Sequence, residues 1–472
     1  MENWHEAYKN ELSSLLDNII PKKGVIVGFN VNIDKIIEIF PEKLANLISA
    51  ESDFVFNEET IPPKIIESPK DLLIRLILSI QNGKADEILI TSKKTNDWIE
   101  KNFVISKVKL GGQAGIIANL LRKINLNQVL LSLPAYNSVL SELLDSRILT
   151  VVEKNDGFSV QEIKNLDLVE GNNISHYIFE FKAGEYIIGK HRLLCKRANR
   201  FIVSFDNVNS LLKFNKGILE GCSHFIQDYS LAILSGFHLV NTDLNTSHSY
   251  RDVILPIVKM ISKWKENNPN LFIHLETAST QDIKLREVII ELIFPLVDSV
   301  GINEQELLSF VEVLNSDVAI SMQKDMSSLK LFEGMQVLFN KFPDIRIHLH
   351  NLGYFLILSN LRDIDEINRR KRSLIHASLF AAAKAQKGVI DSVSDISDVS
   401  IDLSTSGYEE LRKLHSYIQS KYSVTGNLIK DGYLSTPSFT LTGIPTIVIK
   451  NAAELVGLGD TISSISVLMD IE

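Results

Sequence analysis

The stretch GVIVGFNVNID, residues 24–34, decides the fold class of this chain. Its first half is a short apolar run rich in β-branched residues, which predicts a buried strand. Asn30, Asn32 and Asp34 follow that run directly. Ligands of open α/β sheets bind outside the carboxyl ends of the strands, so these three side chains are candidate ligand contacts. A polar turn with a capping residue explains any one of them equally well.

Similar apolar runs recur along the chain, each near a helical stretch. They lie at residues 127–134, 231–236, 271–276, 298–303 and 346–358. Helical periodicity marks residues 3–20, which end at a proline, and the alanine-rich residues 372–388. This alternation of strands and helices predicts an α/β fold with a mostly parallel sheet covered by helices on both faces.

Two regions depart from that pattern and predict a second, smaller domain. Residues 38–108 are polar and contain several prolines, and residues 150–208 alternate apolar and polar residues as half-exposed antiparallel strands do. We therefore expect 38–108 and 150–208 to form a small domain inserted into a large one, with approximate boundaries. The large domain then takes residues 1–37, 109–149 and 209–472.

Composition excludes several classes of protein. The chain has 472 residues, of which 45% are hydrophobic and 23% charged, with a net charge of −9. That acidic balance disfavours nucleic acid and anionic membranes as partners. Two cysteines offer neither a disulfide framework nor zinc spacing, and no run suits a signal peptide or a membrane span. We expect a cytoplasmic, monomeric enzyme that acts on small molecules.

A pair of glycines opens an apolar helix in LGGQAGIIANLL, residues 110–121. Gly111 and Gly112 would allow a ligand to approach the backbone closely, with free N–H groups facing it. Most such pairs are only turns. The polar residues Gln113 and Asn119 in an otherwise apolar stretch favour a binding role.

Acidic residues follow two further predicted strands. His274 and Glu276 end the run at 271–276, while Asn303, Glu304 and Glu306 follow the run at 298–303. Carboxylates at strand ends suit Mg²⁺, which is usually held through one or two acids, waters and phosphate oxygens. Acids in the first turn of a helix also complement the helix dipole, and this structural alternative stays open.

The segment GLGD, residues 457–460, precedes a predicted terminal helix that begins at Thr461. Gly457 and Gly459 permit a tight turn whose N–H groups form a nest for an anion. Asp460 in that positive field should stay ionised and could accept a proton from a substrate hydroxyl. Taken alone, an N-cap aspartate is the commoner explanation of this residue.

Several enzyme classes lack their motifs in this chain. There is no Walker-type phosphate loop, no protein-kinase motif set, no G-x-G-x-x-G after the first strand and no G-x-S-x-G. These absences disfavour P-loop enzymes, protein kinases, dinucleotide-binding enzymes and serine hydrolases.

The order of the motifs is more specific than any one of them. GFNVNIDKI, GGQAGIIANLL, NRFIVS, AILSG, IHLETAS, SVGINEQEL, RIHLHNLGYFL and VGLGDTISS follow one another between about residue 3 and about residue 466. This order resembles the ADP-dependent glucokinase and phosphofructokinase family of the ribokinase-like superfamily. The resemblance implies a large Rossmann-like α/β/α domain with a smaller α/β lid. It also implies transfer of the β-phosphoryl group of ADP to a sugar hydroxyl with Mg²⁺ or another divalent cation, which gives AMP.

The resemblance also implies roles for single residues. Asp460 matches the catalytic base, the backbone from Gly457 to Gly459 matches an anion hole, and Arg200 matches a contact to the nucleotide phosphates. His274 with Glu276, and Asn303 with Glu306, match two motifs tied to magnesium through water. The implied metal residues are Glu276, Glu306 and Asp460, and the implied nucleotide contacts are Arg200, Asn303, His350, Tyr354, Ile449 and Gly459.

Within that family, Glu87 and His176 occupy positions that favour glucose, and Asp206 stands where phosphofructokinases tend to have basic residues. The remaining sugar contacts would be Asn32, Asp34, Gly112 and Gln113. We expect phosphorylation of the 6-hydroxyl of D-glucose. The alternatives are an ADP-dependent 6-phosphofructokinase, a bifunctional kinase or, from another class, an inactive nucleotide or sugar sensor.

Three residues depart from the family pattern. They are His238, Thr277 and Leu455. They affect the expected details of the nucleotide pocket and the catalytic rate more than the class of reaction.

Overall fold

The computed structural model describes most of the chain. It covers residues 1–17, 23–51, 54–57, 60–83, 86–133, 135–169, 171, 173–189, 191–214, 216–242, 249–453 and 456–471. Leu455, one of the three departures, and the end of the helix predicted over 3–20 lie outside the described residues.

The strands form two main sheets and one hairpin. In chain order they are β1 (Gly24–Gly28), β2 (Asn32–Glu38), β3 (Asp86–Leu89), β4 (Ile105–Gly111), β5 (Val129–Leu131), β6 (Leu149–Lys154), β7 (Gly157–Glu162), β8 (Ile174–Phe181), β9 (Gly184–Ile188), β10 (His191–Cys195), β11 (Asn199–Asp206), β12 (Tyr229–Leu234), β13 (Phe272–Glu276), β14 (Ser299–Ile302), β15 (Arg346–Asn351), β16 (Tyr354–Ser359), β17 (Tyr433–Ser435) and β18 (Thr440–Pro445).

The α-helices lie between these strands. They are α1 (Glu2–Asp17), α2 (Pro41–Ala50), α3 (Pro69–Asn82), α4 (Lys93–Asn102), α5 (Gln113–Lys123), α6 (Ser138–Leu143), α7 (Tyr250–Asn267), α8 (Ile283–Leu292), α9 (Glu304–Leu314), α10 (Ser316–Lys324), α11 (Ser328–Lys341), α12 (Ile364–Lys387), α13 (Thr405–Lys421) and α14 (Leu458–Asp470).

The large sheet has eleven strands in the order β17-β18-β16-β15-β14-β13-β12-β1-β5-β6-β7. Its strands are parallel from β15 to β6, and antiparallel strands close both edges. In β1, Ile26 packs into the core on one face, while Val25 and Val27 pack into the core on the other. A sheet covered on both faces needs such a continuous apolar run, and the predicted α/β arrangement is confirmed.

Each face of the large sheet has its own layer of helices. One core includes residues of α7, α8, α9, α11 and α13, and the other includes residues of α1, α5, α12 and α14. The terminal helix α14 is therefore packed against the sheet over most of its length, with residues 463–468 buried.

The small sheet has five strands in the order β3-β11-β8-β2-β4. One face packs against α2, α3 and α4 through aromatic residues such as Tyr177, Phe179 and Phe201. The sheets do not divide the chain at the predicted boundaries. Strand β2 lies mostly before residue 38 yet belongs to the small sheet, while β6 and β7 extend the large one. The domain bounds themselves stay a prediction.

Two of the points at which the chain crosses between the two sheets are adjacent. It leaves β1 at Gly28 and enters β2 at Asn32, and it returns from β4 at Gly111 into α5 at Gln113. Asn32 and Gly111 are paired in the small sheet, so both crossings lie side by side. The candidate ligand residues of both stretches are thereby brought to the junction of the two sheets.

Among the described residues, none of the helices combines the length and the apolar character that a membrane crossing requires. The cytoplasmic location stays a prediction.

Candidate active site

Three neighbouring strands of the small sheet present a row of polar side chains. Asp34 on β2 is the register partner of His176 on β8, and His176 is the register partner of Ser204 on β11. Side chains at paired positions of adjacent strands point to the same face of a sheet. All three residues are buried.

His176 lies between two carboxylates. Its Nε2 is 3.2 Å from Asp206 Oδ2, and its Nδ1 is 3.6 Å from Glu87 Oε1. Burial opposes a charge on the imidazole, but the hydrogen bond to Asp206 and the charge of Glu87 outweigh it and raise the pKa of His176 to about 9. The ring is therefore a cation at neutral pH.

Ser204 and Asn209 complete this arrangement, and sequence reasoning missed both. Ser204 Oγ donates a hydrogen bond to Glu87 Oε1 at 2.8 Å. Asp206 accepts hydrogen bonds from the backbone N–H groups of Val208 and Asn209, and from Asn209 Nδ2. The only signal for Ser204 in the sequence is a hydroxyl that interrupts the apolar alternation of IVSFD.

The predicted sugar contacts Asn32 and Asp34 touch each other, and the paired glycines make room for them. Asn32 Nδ2 donates to Asp34 Oδ1 at 2.6 Å. A Cβ atom on Gly111 would lie 2.1 Å from Asp34 Oδ1, and one on Gly112 would lie 2.5 Å from the carbonyl of Asn30. Gly112 also has φ +78° at the N-cap of α5. Burial raises the pKa of Asp34 to about 6, against the attraction of the nearby His176 cation.

Gln113 connects the sugar residues to the acids of the large sheet. Its Nε2 donates to the carbonyl of Thr277 at 2.9 Å, and its amide also interacts with Asp460. Gln113 is therefore a structural link between the row on the small sheet and GLGD.

GLGD begins the terminal helix earlier than predicted. Helix α14 starts at Leu458 rather than Thr461, and Gly457 is its N-cap with φ +69°. Asp460 thus lies within the first turn, so the interpretation of Asp460 as an N-cap is wrong. Glycine adopts positive φ without the steric cost of a Cβ atom, which allows the helix to begin at this point.

Asp460 lies in a cluster of charged groups that is largely closed to solvent. Burial and the neighbouring Glu276 raise its pKa to about 6, while Lys384 and Gln113 oppose that increase. Asp460 is 8% exposed, and with a pKa of about 6 its carboxyl is mostly ionised at pH 7. The expectation of an ionised acid is met, although its pKa lies above the usual aspartate range.

Glu276 is the centre of a group of buried histidines. Its Oε2 is 3.4 Å from His274 Nε2, and its Oε1 is 3.6 Å from His350 Nε2. Burial alone would raise the pKa of Glu276, but the hydrogen bond with His274 and the proximity of His350 outweigh it and lower the pKa. Glu276 is therefore a carboxylate anion in a nearly dry site.

Only a glycine fits at position 301, on the neighbouring strand. A Cβ atom there would lie 1.9 Å from Ser463 Oγ of α14 and 2.2 Å from Glu276 Oε2. Gly301 thus allows the terminal helix and Glu276 to approach β14 closely.

Glu306 is held by a capping box, the structural role that the sequence left open. Its Oε2 accepts from the Asn303 N–H at 2.9 Å and from Thr277 Oγ1 at 2.9 Å, and its Oε1 accepts from Asn303 Nδ2 at 2.7 Å. Burial raises the pKa of Glu306 to about 7. Thr277, a departure from the family pattern, is thus a direct partner of this acid.

The carboxylates of Glu276 and Asp460 suit a divalent cation, although the described side chains do not form a complete metal site. Within the described residues, no group of three or more His, Cys, Asp or Glu side chains is arranged to hold a metal ion. Glu276 and Asp460 nevertheless lie close enough to disturb each other electrostatically. Two buried carboxylates that repel each other fit Mg²⁺, which needs few protein ligands when water and phosphate oxygens supply the others.

The predicted nucleotide contacts lie on both sheets. Arg200 is half-buried on β11 of the small sheet, and no ion pair of its guanidinium is found among the described residues. Tyr354 is buried at the start of β16, and its hydroxyl has no hydrogen-bond partner in the described part of the chain. Ile449 is half-buried in the loop after β18.

His238 and Thr277 lie at one small cavity. The cavity, about 10 Å³ in volume, is also lined by Glu276 and Phe237. That volume is close to the space one water molecule requires. His238 also interacts electrostatically with Glu87 and His176, and burial lowers its pKa.

Comparisons with known proteins match almost the whole length of this chain. The conserved region of ADP-specific phosphofructokinase/glucokinase matches residues 23–469. The chain is 30% identical over 470 residues to an ADP-dependent glucose/glucosamine kinase of Pyrococcus furiosus, which covers 98% of each protein. It is 25% identical over 474 residues to an ADP-specific phosphofructokinase of Methanosarcina acetivorans, which covers 98% of this chain and 96% of that protein.

A solved structure of an ADP-dependent kinase in complex with fructose 6-phosphate and ADPβS superposes on this fold with a TM-score of 0.83. The two sequences are 28% identical, and the superposition covers 100% of this chain and 97% of that one. The predicted ribokinase-like fold class, a large α/β/α part with a smaller α/β part, is confirmed.

Proposed function

Because this chain belongs to the ADP-specific phosphofructokinase/glucokinase family, we propose that it transfers the β-phosphoryl group of ADP to the 6-hydroxyl of D-glucose. The products are glucose 6-phosphate and AMP. The chain is an ADP-dependent sugar kinase, and the choice of glucose as acceptor is the finer part of the proposal.

The charge of the acceptor pocket carries the choice of glucose. Asp34, Glu87 and Asp206 lie around the His176 cation, and of the described cations Arg200 also acts electrostatically on Asp34, so the carboxylates outnumber these two cations. Carboxylates accept hydrogen bonds from sugar hydroxyls, whereas an acceptor that already carries a phosphate dianion would be repelled in a site of low dielectric. An uncharged hexose suits this pocket best.

Asp460 is the proton acceptor in this proposal. The O6–H proton moves to Asp460 while O6 forms a bond to the β-phosphorus. The bond from that phosphorus to the bridging oxygen breaks, and AMP leaves. The pKa of Asp460 at about 6 suits a base that is ionised at pH 7 yet able to hold a proton.

The other groups stabilise charge and position the reactants. Backbone N–H groups from Gly457 to Gly459 and the Arg200 guanidinium would neutralise the negative charge of the transferring phosphoryl group. Glu276, Glu306 and Asp460 would hold Mg²⁺ through water, and the ion would offset negative charge on the phosphate oxygens. Asn303, His350, Tyr354 and Ile449 would contact the nucleotide.

The small sheet has the role of a lid in this proposal. It carries Asp34, Glu87, His176 and Arg200, whereas Asp460 lies on α14, which packs against the large sheet. Closure of the lid on bound sugar would exclude water and bring O6 to Asp460. The proposed catalytic residues all come from one chain, so the reaction needs no second copy, and a monomer stays our expectation.

A phosphofructokinase is the second candidate, because relatives of similar identity include ADP-specific phosphofructokinases. A panel of acceptors and donors decides between the two. The protein is incubated with Mg²⁺, with ADP or ATP, and with glucose, glucosamine or fructose 6-phosphate, and AMP and phosphosugar are measured. Fastest AMP formation with glucose supports the proposal. Preference for fructose 6-phosphate contradicts the acceptor, and ligand binding without AMP formation supports the inactive sensor.

A further inference from the structure

Lys384 contacts the turn that begins the terminal helix. Its Nζ donates a hydrogen bond to the carbonyl oxygen of Gly457 at 2.8 Å and to Thr461 Oγ1 at 3.2 Å. We propose that Lys384 is a positioning residue of the anion hole, which fixes the peptide between Gly457 and Leu458. This inference rests on the proposed function of that turn in phosphoryl transfer.

The Gly457 carbonyl is held by three donors. Besides Lys384 Nζ, it accepts from the Thr461 N–H at 3.1 Å and from Thr461 Oγ1 at 2.9 Å. In a planar trans peptide the C=O and the following N–H point in opposite directions. The Gly457 carbonyl points towards Lys384 and along the helix, so the Leu458 N–H must point the opposite way, out of the first turn. An anion at the N-terminus of the helix would bind there.

The peptide between Gly457 and Leu458 needs these contacts because Gly457 is a glycine with φ in the left-handed region. Glycine has several accessible conformations, so this peptide can rotate more freely than one that follows a residue with a Cβ atom. The space around it is also limited. A Cβ atom on Gly457 would lie 2.7 Å from Lys384 Nζ and 3.2 Å from Ile116 Cγ2. Lys384 and Ile116 thus form the wall against which the turn packs.

The end of α12 holds the same loop at a second point. The Ala453 N–H donates to the carbonyl of Ala385 at 2.7 Å, one residue after Lys384. Carbonyls in the last turn of a helix lack partners within the helix, so they are available to bind a neighbouring segment. The last turn of α12 therefore anchors the loop both before GLGD and at its first residue.

The charge of Lys384 gives it an effect beyond packing. Its ammonium acts on Asp460 in the direction that favours the carboxylate. The same positive charge stabilises negative charge gathered at the turn during transfer. A neutral side chain of equal length keeps the packing and removes both the charge and the hydrogen bonds.

Lys387 provides a matched control one turn along α12. It is exposed and forms ion pairs with Asp395 at 2.9 Å and Asp398 at 3.0 Å, so its loss should cost little. The comparison uses Lys384→Met, Lys384→Arg and Lys387→Met. For each, kcat and KM for glucose and ADP are measured, together with hydrogen exchange of the amides at 456–462.

We expect Lys384→Met to lower kcat between about 10-fold and 100-fold, because a small displacement of an anion hole has effects of that size. KM for glucose should change less than about threefold, since Gly457 and Thr461, to which Lys384 donates its hydrogen bonds, are not proposed sugar contacts. The amides at 456–462 should exchange faster than in the wild type. Lys384→Arg should recover most of kcat and of the protection, and Lys387→Met should match the wild type.

The inference is overturned if Lys384→Met keeps kcat within about twofold of the wild type, or if amide protection at 456–462 is unchanged. It is also overturned if the amides at 456–462 exchange as fast in folded Lys384→Arg as in Lys384→Met. Absence of AMP formation by the wild type would instead contradict the proposed function. The exchange comparison separates the two failures, because it needs no turnover.

Discussion

A buried ion pair connects the C-terminal end of α14 to the large sheet. Breaking this ion pair tests whether it stabilises the helix that carries Asp460. Asp470 Oδ2 is 2.6 Å from Arg346 Nε and 2.8 Å from Arg370 Nε. The side chains of Asp470 and Arg346 are only 4% and 3% exposed. Burial lowers the pKa of Arg346 to about 10 even though Asp470 opposes that shift, so the charge of Arg346 depends on its counter-ion. The perturbation is Asp470→Ala.

The expected loss of stability follows from what the substitution leaves behind. Arg346 would keep its hydrogen bonds to Ser299 and Ser466, which are neutral, and would lose its counter-ion. Removing one member of a buried ion pair costs about 3–5 kcal/mol because the remaining charge is uncompensated. A typical native protein is stable by only about 5–15 kcal/mol, so the effect should be large. Asp470→Asn, which keeps an acceptor oxygen, should cost less.

Urea unfolding followed by circular dichroism measures this loss, with Glu153→Ala as the control. Glu153 forms an exposed ion pair with Lys216, so its removal should cost less than about 1 kcal/mol. Because α14 carries Asp460 at its other end, Asp470→Ala should also lower kcat at temperatures where the protein remains folded. If the urea concentration at the unfolding midpoint is no lower for Asp470→Ala than for Glu153→Ala, the ion pair does not stabilise the helix and this reasoning is refuted.

Two further predictions concern the acceptor pocket. Glu87→Ala should lower kcat/KM for glucose about 10- to 100-fold, because a carboxylate that accepts a hydrogen bond from a sugar hydroxyl is lost. The same substitution should not lower kcat/KM for fructose 6-phosphate. AMP formation measures both values, and an equal loss for both sugars would contradict the assigned role. His176 has a folded pKa of about 9 against an ordinary 6.5, so its stabilising contribution is full below pH 6.5 and is lost as pH rises through 9. The stability difference between wild type and His176→Gln, measured by urea unfolding at pH 6, 8 and 10, should therefore shrink by up to about 3 kcal/mol. A difference that is constant across this range would show that the imidazole does not carry the charge.

Local patterns in the sequence predicted the fold and the residues at strand ends. The apolar runs at 24–30 and 271–276 each gave one strand, and the run at 346–358 gave the two antiparallel strands β15 and β16, because continuous apolar runs can be buried on both faces of a sheet. Glu276 lies at the carboxyl end of β13, where ligands of α/β sheets bind, whereas Asp34 lies within β2, just after the chain crosses from β1 into the small sheet.

The missed features depend on contacts between distant parts of the chain. Lys384 is a lysine in the last turn of a helix by sequence, and only packing of α12 against α14 brings it to Gly457. Ser204 meets Glu87 only through the pairing of β11 with β3. The start of α14 was misplaced because the left-handed φ of Gly457 sets it, and a glycine alone does not reveal its φ.

The most direct test of the central claim is AMP formation by Asp460→Asn at saturating glucose and ADP, with glucose binding measured on the same preparation. Asparagine keeps the size of the side chain and cannot accept the O6 proton as a base. We predict that kcat falls about 10²- to 10⁴-fold, while the glucose Kd stays within about threefold of the wild type. Turnover within about tenfold of the wild type, with glucose binding intact, would contradict the role of Asp460 as the proton acceptor.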